Sequence, residues 1–294
     1  MASRASEQYH ARMQRVLQFI ERNLDADLNV DLLSSVAAFS KHHFQRQFSN
    51  LFGISVGRYI QLLRMHRASR RLAFRPSDRI IEIALDSGFE GPEAFARSFR
   101  RHFDQSPSGF RRDPLWSSWH AALEPLQQAR RTQMANSFSP DDVRIIDFPD
   151  TPVAVLQHRG DPRRVNESVR QFIEWRRSSG HGAATSRTFN VFHSDPEQVE
   201  AEEFRMDLCA TSGGSVEPNA AGIIEGLIPA GRCAVLEIEG PGDDLRAASH
   251  YLYGQWLPAS GEEPREFPFF VERLNVGPGT PDHKCATRLY LPLA

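Results

Sequence analysis

An internal repeat within the first 113 residues constrains the fold of this chain more than any other feature. Six residues recur with an offset of 51: Phe44, Arg46, Phe48, Phe52, Ser55 and Tyr59 return as Phe95, Arg97, Phe99, Phe103, Ser106 and Phe110. Three upstream residues recur with an offset of 50: Leu33, Ala38 and Phe39 return as Ile83, Gly88 and Phe89. The offset changes where a turn is expected, because turns accommodate insertions more easily than helices do.

The first copy predicts a short helix over residues 31–37 and a second helix ending at Phe52. Ser40 is the expected N-cap of that second helix, because its hydroxyl can accept a hydrogen bond from a free backbone N–H. Gly53 is the expected stop, since glycine adopts the left-handed conformation that ends many helices. This copy therefore predicts one helix-turn-helix unit.

The second copy predicts a short helix over residues 80–87, a turn at Gly88 and a helix that starts near Pro92. Proline is favoured in a first helical turn, where its missing N–H has no intrahelical partner to lose. A long helix over residues 56–74 joins the two copies, and a helix over residues 8–24 precedes them. We expect an all-α domain with two helix-turn-helix units over residues 1–113.

In both second helices, phenylalanines four residues apart predict one buried face, so the residues between them point to solvent. These residues are His42, Gln45, Arg46 and Asn50 in the first copy and Glu93, Arg97, Arg100 and Arg101 in the second. A single arginine on a helix is often only a solvated side chain. Two equivalent helices with such faces suit two successive major grooves of DNA.

Charge is distributed unevenly along the chain. Residues 1–116 carry a net charge of +6 and the remainder a net charge of −8, which together give the formal −2 of the whole. A basic first third is typical of a DNA-binding domain attached to a body that does not bind DNA. Chance variation between two domains would produce the same asymmetry.

The remaining composition limits the class of protein. The three cysteines are far apart, which favours buried thiols in a reducing compartment over disulfides or a zinc site. The N-terminus is too polar for a secretory signal, and no run of 18 apolar residues predicts a membrane span. We therefore expect a cytoplasmic protein without a membrane partner, a bound metal or a cofactor.

The first domain resembles the DNA-binding domain of the AraC/XylS family. The resemblance covers residues 8–113 and rests on the stretches SKHHFQRQFSNLFGISVGRYIQLLRMHRA and IIEIALDSGFEGPEAFARSFRRHFDQSPSGFRR. The second stretch contains I-A-x-x-x-G-F, F-x-R-x-F and S-P-x-x-F-R. The resemblance implies a sequence-specific transcription regulator that places both second helices in adjacent major-groove faces of a promoter. RNA polymerase is then an expected partner.

The resemblance also implies roles for individual residues. His42, Gln45 and Arg46 would read bases from the first copy, whereas Ser40, Lys41, Arg100 and Arg101 would contact phosphates. The second copy departs from the family pattern, because Gly91-Pro92-Glu93 stands where relatives often carry polar amides. Glu93 would accept a hydrogen bond from a cytosine amino group, and Arg97 would donate two to guanine.

The C-terminal part repeats as well. Ala154-Val155-Leu156 with Gly160 recurs 80 residues later as Ala234-Val235-Leu236 with Gly240. A helix and two strands follow each copy: residues 165–177, 188–193 and 204–210 in the first, and 243–257, 267–276 and 286–293 in the second. We expect an α+β protein with two domains, in which a linker with some helix (residues 114–141) precedes a duplicated strand–helix–strand–strand domain (residues 142–294). Helices would cover one face of its antiparallel sheet.

The second domain resembles the gyrase-inhibitor-like (GyrI-like) family of small-molecule-binding domains, in the Rob-like architecture that joins such a domain to an AraC-type head. The resemblance covers residues 142–294 and rests on the segments HSDPEQVEAEEFRMDLCAT, GLIPAGRCAVLEIEGP, YGQWLP, FFVERLNVGPG and RLYLPL. It implies a central cleft that binds hydrophobic, often cationic, compounds against a buried glutamate.

The family glutamate lies four residues before the Asn of the strand that ends in L-N, which is Val271 in this chain. Glu272 is displaced by one residue, and such a shift turns a side chain to the other face of a sheet. Either a bulge returns Glu272 to the cleft, or the cleft lacks a carboxylate. We expect the second, with a mainly aromatic cleft. The candidate ligand-binding residues are Phe192, Trp256, Phe270, Glu272 and Tyr290.

Three functions remain open for the second domain. It could bind a small hydrophobic or aromatic effector, bind a protein partner, or hydrolyse small molecules with an acidic residue in the cleft. No Ser–His–Asp, Cys–His or metal-ligand pattern stands out in the sequence, so we expect a regulator rather than an enzyme. The effector-responsive regulator is the leading hypothesis.

Overall fold

The protein divides into two compact units, Met1–Asn136 and Ser137–Ala294. The computed structural model describes residues 4–134, 138–213, 216–239, 245–276, 280 and 284–294. No helix in these ranges is both long enough and apolar enough to cross a membrane.

Helices alone build the described part of the first unit. They are α1 (Arg4–Arg22), α2 (Val30–Ala37), α3 (Lys41–Phe52), α4 (Val56–Phe74), α5 (Ile80–Asp86), α6 (Pro92–Phe103), α7 (Pro107–Arg112) and α8 (Trp116–Met134). The pairs α2–α3 and α5–α6 are the two predicted helix-turn-helix units, and α4 joins them. The predicted all-α double unit is therefore confirmed.

The signals that predicted these helix ends act as expected. The hydroxyl of Ser40 accepts a hydrogen bond from the backbone N–H of His43 at 3.5 Å, and Gly53 ends α3 in the left-handed conformation with φ of 72°. Gly88 also has a positive φ, 74°, in the turn between α5 and α6. Ala38 holds the equivalent turn of the first copy at φ of 54°, a conformation that costs a residue with a Cβ about 1–2 kcal/mol.

The two copies repeat the same aromatic packing in the core. Phe48 lies 4.6 Å from Phe52 and 5.6 Å from Tyr59, measured between ring centroids. Phe99, its equivalent, lies 4.7 Å from Phe103 and 5.4 Å from Phe110. The rings are buried and largely edge-on or tilted, which is the favoured geometry for aromatic pairs. The sequence repeat is thus a repeat of structure.

Helix α8 corrects the expected linker over residues 114–141. Its buried residues, Trp116, Trp119, Leu123, Leu126 and Ala129, belong to the core of the first unit. The indole N–H of Trp119 donates a hydrogen bond to the Ser69 hydroxyl at 2.6 Å. Residues 116–134 are therefore part of the first unit. The sequence pattern allowed a helix over residues 121–131 despite Pro125, and the observed helix continues through that proline and is longer at both ends.

The second unit contains one antiparallel sheet of eight strands in its described residues. They are β1 (Val143–Phe148), β2 (Thr151–Arg159), β3 (Thr188–Phe192), β4 (Arg205–Thr211), β5 (Ile224–Ile228), β6 (Gly231–Glu239), β7 (Phe270–Leu274) and β8 (Ala286–Pro292). Helix α9 (Val165–Ser178) follows β2, and α10 (Arg246–Tyr251), a π-helical segment (Leu252–Trp256) and α11 (Leu257–Ser260) follow β6. The twofold strand–helix–strand–strand prediction is confirmed. Gly240 and residues 243–244 of the predicted second helix lie outside the described residues.

The two halves of this sheet exchange a strand. The strand order is β1-β6-β8-β7-β3-β4-β2-β5. Counted from each edge towards the centre, β1-β6-β8-β7 corresponds to β5-β2-β4-β3. Strand β1 precedes β2 in the chain but pairs with β6, and β5 precedes β6 but pairs with β2. The sequence analysis did not assign β1 or β5. Strands β3 and β7 meet at the centre of the sheet.

The sheet is strongly curved. Three strands separate β1 from β3, so in a flat sheet the two strands would lie about 19 Å apart. Nevertheless, the ring of Phe148 at the end of β1 lies 6.1 Å from the ring of Phe189 on β3. The face that carries these rings is therefore concave. Phe172 of α9 packs with Leu156 and Leu208 on the opposite face.

Candidate functional site

All nine residues that the sequence analysis assigned to DNA contact are exposed at or near one face of α3 or α6. They are Ser40, Lys41, His42, Gln45, Arg46, Glu93, Arg97, Arg100 and Arg101. The buried phenylalanines of each helix place them there, because a helix that buries one stripe presents the opposite stripe to solvent. The contact roles of these residues remain predictions.

The charged groups on α3 and α6 differ in whether they form ion pairs. Within the described ranges, Arg46, Arg97, Arg100 and Arg101 form no ion pair, so they are available to an anionic partner. Lys41 is paired with Asp31 of α2. Glu93 lies in the first turn of α6, where a negative charge interacts favourably with the free backbone N–H groups.

A histidine that the sequence analysis did not select fixes α6 against α4. His102 Nδ1 lies 2.7 Å from the Ser98 carbonyl oxygen, and its Nε2 lies 2.7 Å from Nη1 of Arg58. Burial lowers the pKa of His102, and the charges of Arg58 and Arg101 lower it further, although the bond to Ser98 opposes them. A neutral ring that donates from Nδ1 and accepts at Nε2 satisfies both contacts.

On the concave face of the second unit, six side chains form a group that we call the Glu272 cluster: Phe148, Arg187, Phe189, Phe270, Glu272 and Tyr290. The strand register places Phe189 beside Glu272 and Phe270 beside Tyr290. Directly paired residues point to the same face of a sheet. Glu272 therefore lies with the aromatic residues.

The expectation that the cleft lacks a carboxylate is thus wrong. Residues 270 and 272 share the concave face because they are two apart on β7, and Val271 faces the other way. No bulge is required, since β7 pairs continuously with β3 and β8 from Phe270 to Arg273. The one-residue displacement therefore does not turn Glu272 to the other face of the sheet, and its side chain is 5% exposed.

The carboxylate of Glu272 is fully engaged by neighbouring donors. Nε of Arg187 donates to Oε1 at 2.7 Å, and Nη2 of Arg187 donates to Oε2 at 3.0 Å. The Tyr290 hydroxyl donates to Oε2 at 2.8 Å. Burial raises the pKa of Glu272, but the bonds from Arg187 and Tyr290 and the charges of Arg187 and Arg288 outweigh it, so the pKa lies below its usual value. The group is therefore ionised at neutral pH.

Aromatic rings surround this ion pair. Phe270 and Tyr290 stack with centroids 4.7 Å apart and an interplanar angle of 3°. Phe148 meets Phe270 at 5.1 Å and Tyr290 at 5.3 Å, in both cases edge to face. The guanidinium carbon of Arg187 lies 4.8 Å from the Phe189 centroid and 5.8 Å from the Phe148 centroid. The cluster thus combines a buried carboxylate with flat apolar surfaces.

The structure brings together Phe270, Glu272 and Tyr290 but not the other two candidates. Phe192 lies on the opposite face of β3, where it packs with the residues under α9 and lies 5.9 Å from Phe269. Trp256 is buried in the π-helical segment and is not among the residues of the concave-face core. The other three members of the cluster are Phe148, Arg187 and Phe189, none of which was a candidate in the sequence analysis.

A buried cation, Arg176, positions the segment that leads to Arg187. Arg176 of α9 donates to the His181 carbonyl at 2.7 Å, to the Thr188 hydroxyl at 2.7 Å and to the Ser186 hydroxyl at 2.9 Å. All of these acceptors are neutral. Burial lowers the pKa of Arg176 to about 10, so it remains charged at neutral pH.

Replacing Arg176 with methionine is expected to lower the free energy of unfolding of the second unit by about 1–3 kcal/mol, because its partly buried acceptors lose their donor. Amide hydrogen exchange of β3 and β4 measures the change. Arg163→Met is the control, since Arg163 is largely exposed and forms an ion pair with Asp161 nearby in the chain. Equal protection in both variants would contradict the assigned role.

Comparison with known families follows the same division of the chain. A family model described as a GyrI-like small molecule binding domain matches residues 141–294, which is more than half of the chain. The chain belongs to the GyrI-like family. A model described as a helix-turn-helix domain matches residues 33–113, and this domain is of the AraC type. The chain is therefore a DNA-binding transcription regulator with an AraC-type domain and a GyrI-like domain.

Individual relatives match one or both units. The probable transcriptional regulator YgiV of Escherichia coli K12 is 40% identical over 157 residues, which are 52% of this chain and 96% of YgiV. The transcriptional regulator Rob of Salmonella typhimurium is 25% identical over 250 residues, 83% of each chain. A cryo-EM structure of an EcmrR–DNA complex covers 90% of this chain and 98% of EcmrR, with 14% identity and a TM-score of 0.43.

Proposed function

We propose that this regulator reads DNA with α3 and α6 and that it responds to a small effector bound at the Glu272 cluster. The observation that carries the proposal is an ionised, buried carboxylate among aromatic rings on the concave face of a GyrI-like domain. A buried carboxylate beside aromatic rings offers an organic cation both a counter-charge and flat apolar surfaces, which supports a binding role. RNA polymerase is the proposed protein partner at the promoter.

The effector can regulate only if its affinity differs between states of the chain that bind DNA differently. By linkage, DNA must then change the affinity for the effector by the same factor. Titration of the full chain with a hydrophobic amine, with and without duplex DNA, tests this reciprocity. Equal affinities under both conditions would leave the DNA-binding role and contradict sensing of hydrophobic amines.

The proposal assigns no catalytic step to the second unit. A hydrolase of this kind would use an acidic residue in the cleft as an acid or base, and Glu272 is the acidic residue in the cluster. Its three hydrogen bonds and lowered pKa suit a stable anion instead of a group that exchanges protons at neutral pH. Within the described residues, no group of three or more His, Cys, Asp or Glu side chains could hold a metal ion.

Substitution of Arg97 by alanine tests the reading of DNA by α6. We expect a loss of about 1–3 kcal/mol in binding to the preferred duplex, because a bidentate arginine–guanine contact contributes that much discrimination. The preferred duplex is first selected from random sequences with the wild-type chain. Fluorescence anisotropy of the full chain then measures affinity for that duplex and for duplexes with single base-pair changes.

Arg100→Ala is the matched control on the same helix, because Arg100 is expected to contact phosphate. It should weaken binding to all duplexes alike and reduce the salt dependence of binding, whereas Arg97→Ala should also relax the preference at one base pair. Unchanged affinity and preference in Arg97→Ala would remove Arg97 from the reading set. A uniform loss in both variants would assign both side chains to phosphates.

A further inference from the structure

The chain itself supplies the cation of the Glu272 cluster. Arg187 approaches the carboxylate with two parallel N–H groups, and its guanidinium lies near the rings of Phe189 and Phe148. A carboxylate with aromatic faces beside it is also what a protein uses to bind an organic cation from solution. Arg187 therefore occupies the position that such a ligand would take.

The two partners of this ion pair are held differently. The Glu272 side chain is 5% exposed, whereas the Arg187 side chain is 44% exposed. The backbone of Arg187 is anchored independently of its side chain, because its N–H donates to the Thr211 hydroxyl at 2.9 Å and its carbonyl accepts from the Thr211 N–H at 3.0 Å. The guanidinium can therefore move into solvent by side-chain rotation while β3 stays in place.

The site that the guanidinium would leave favours cations of one geometry. Glu272 would retain the bond from Tyr290 but lose both bonds from Arg187, and a buried acceptor that loses its donors is costly. A cation with two N–H groups in one plane restores both bonds in their original parallel geometry, since this is the property that lets arginine bind a carboxylate in a bidentate way. A cation without N–H groups restores the charge but not the bonds.

We propose that Arg187 is an internal competitor for the effector site, and that the effectors which displace it are planar amidinium or guanidinium compounds with a hydrophobic group. This inference rests on the proposed function, since it names the class of effector for the same site. The hydrophobic group would take the place of the guanidinium against the rings of Phe189 and Phe148.

Chemical rescue of Arg187→Ala tests this proposal. Benzamidinium carries the two coplanar N–H groups on an aromatic ring, and tetraphenylphosphonium is a hydrophobic cation without them. By calorimetry on the full chain, we expect Arg187→Ala to bind benzamidinium at least about tenfold more tightly than the wild type does. The gain for tetraphenylphosphonium should be smaller. Arg187→Gln, which keeps one donor and fills more space, should show the same order and serves if the alanine variant does not fold.

The double variant Arg187→Ala/Glu272→Gln should lose the gain for benzamidinium, because the neutral amide no longer attracts the cation. Arg163→Ala should bind like the wild type. Equal gains for the two cations, or a gain that persists in the double variant, would overturn the proposal.

The regulatory role is measured separately, by the affinity of Arg187→Ala for duplex DNA with and without benzamidinium. If benzamidinium binds but does not change the affinity for DNA, the result supports the amidinium site and contradicts the sensing function. If a different compound changes the DNA affinity of the wild type while benzamidinium never binds, the sensing function stands and the amidinium site is overturned.

Discussion

Replacing Phe99 with alanine is expected to lower the free energy of unfolding of the first unit by about 3–5 kcal/mol. Phe99 is fully buried at the centre of the second aromatic group, where it contacts Phe95, Phe103 and Phe110. Alanine removes most of the ring's apolar surface and leaves a cavity that its three aromatic neighbours cannot fill. The loss is a large share of the total stability of about 5–15 kcal/mol that a domain has.

Tryptophan fluorescence can report this unfolding without interference from the second unit. The chain has four tryptophans, and Trp116 and Trp119 lie in the core of the first unit. In a background with Trp175→Phe and Trp256→Phe, a urea titration therefore follows the first unit alone. The control is Ile81→Ala, since Ile81 is 43% exposed and its loss should have a small effect.

The internal repeat offers a matched variant. Phe48→Ala removes the equivalent ring of the first copy, with nearly the same distances to its neighbours, so it should cost a similar amount. A cost below about 1 kcal/mol for either variant would contradict the packing described for that copy.

Local signals explain why the first unit was predictable from sequence. Phenylalanines at a spacing of four mark one helix face, and Ser40, Gly53 and Pro92 mark helix ends by short-range chemistry. Helix α4 accordingly has the bounds that its pattern predicts. The bounds of α8 were less predictable, because Pro125 weakens the helical pattern in the sequence, whereas the buried Trp119 and Leu123 stabilise the helix through tertiary packing.

The second unit was predictable only in part, because its main features depend on pairing between distant strands. No local signal shows that β1 pairs with β6 or that β5 pairs with β2. The prediction of which sheet face carries Glu272 was wrong for a related reason. Asn275, from which the family position was counted, lies beyond β7 with φ of 54°. A residue outside a strand does not fix which face a strand residue uses; the pairing of β7 with β3 and β8 does.

The two halves of the duplicated sheet differ at the position of Glu272. By register, Phe189 corresponds to Phe270, and Val191 corresponds to Glu272. The two equivalent pairs at the centre of the sheet are therefore Phe189–Glu272 and Val191–Phe270. One half has an apolar residue where the other has the acid, so among the described residues Glu272 is the one buried carboxylate near the centre of the concave face. Because the acid has no equivalent in the other half, substitutions can test the Arg187–Glu272 pair on its own.

At pH 7, Arg187→Ala is expected to lower the free energy of unfolding of the second unit by about 3 kcal/mol, the lower end of the range for a buried ion pair that loses one partner. The lower end applies because Tyr290 continues to donate to the carboxylate. Arg288 cannot replace Arg187, since its Nη1 is 4.0 Å from Glu272 and its Nε is bound to Glu237 at 2.7 Å. Hydrogen exchange of β7 and β8 measures the loss.

The pH dependence of this loss separates an unpaired charge from a simple loss of contacts. In the wild type, the pKa of Glu272 lies below its usual value. The pair therefore contributes stability above the unfolded pKa of about 4.3, and this stability is lost as the pH falls through the lowered folded pKa. In Arg187→Ala, burial is no longer opposed by the guanidinium and raises the pKa of Glu272. Protonation then relieves the strain, so the difference between the two proteins should shrink as the pH falls from 7 towards about 4.

Glu272→Gln supplies the decisive comparison, because glutamine has nearly the same size and no charge. In that background Arg187→Ala should lower the free energy of unfolding only slightly, and this loss should not vary with pH. The coupling between the two substitutions should then approach 3 kcal/mol at pH 7, the upper end of what contacting pairs show. A pH-independent cost of Arg187→Ala in both backgrounds would mean that Arg187 acts by packing on Phe189 and Phe148. Its role as the counterion of Glu272 would then be wrong.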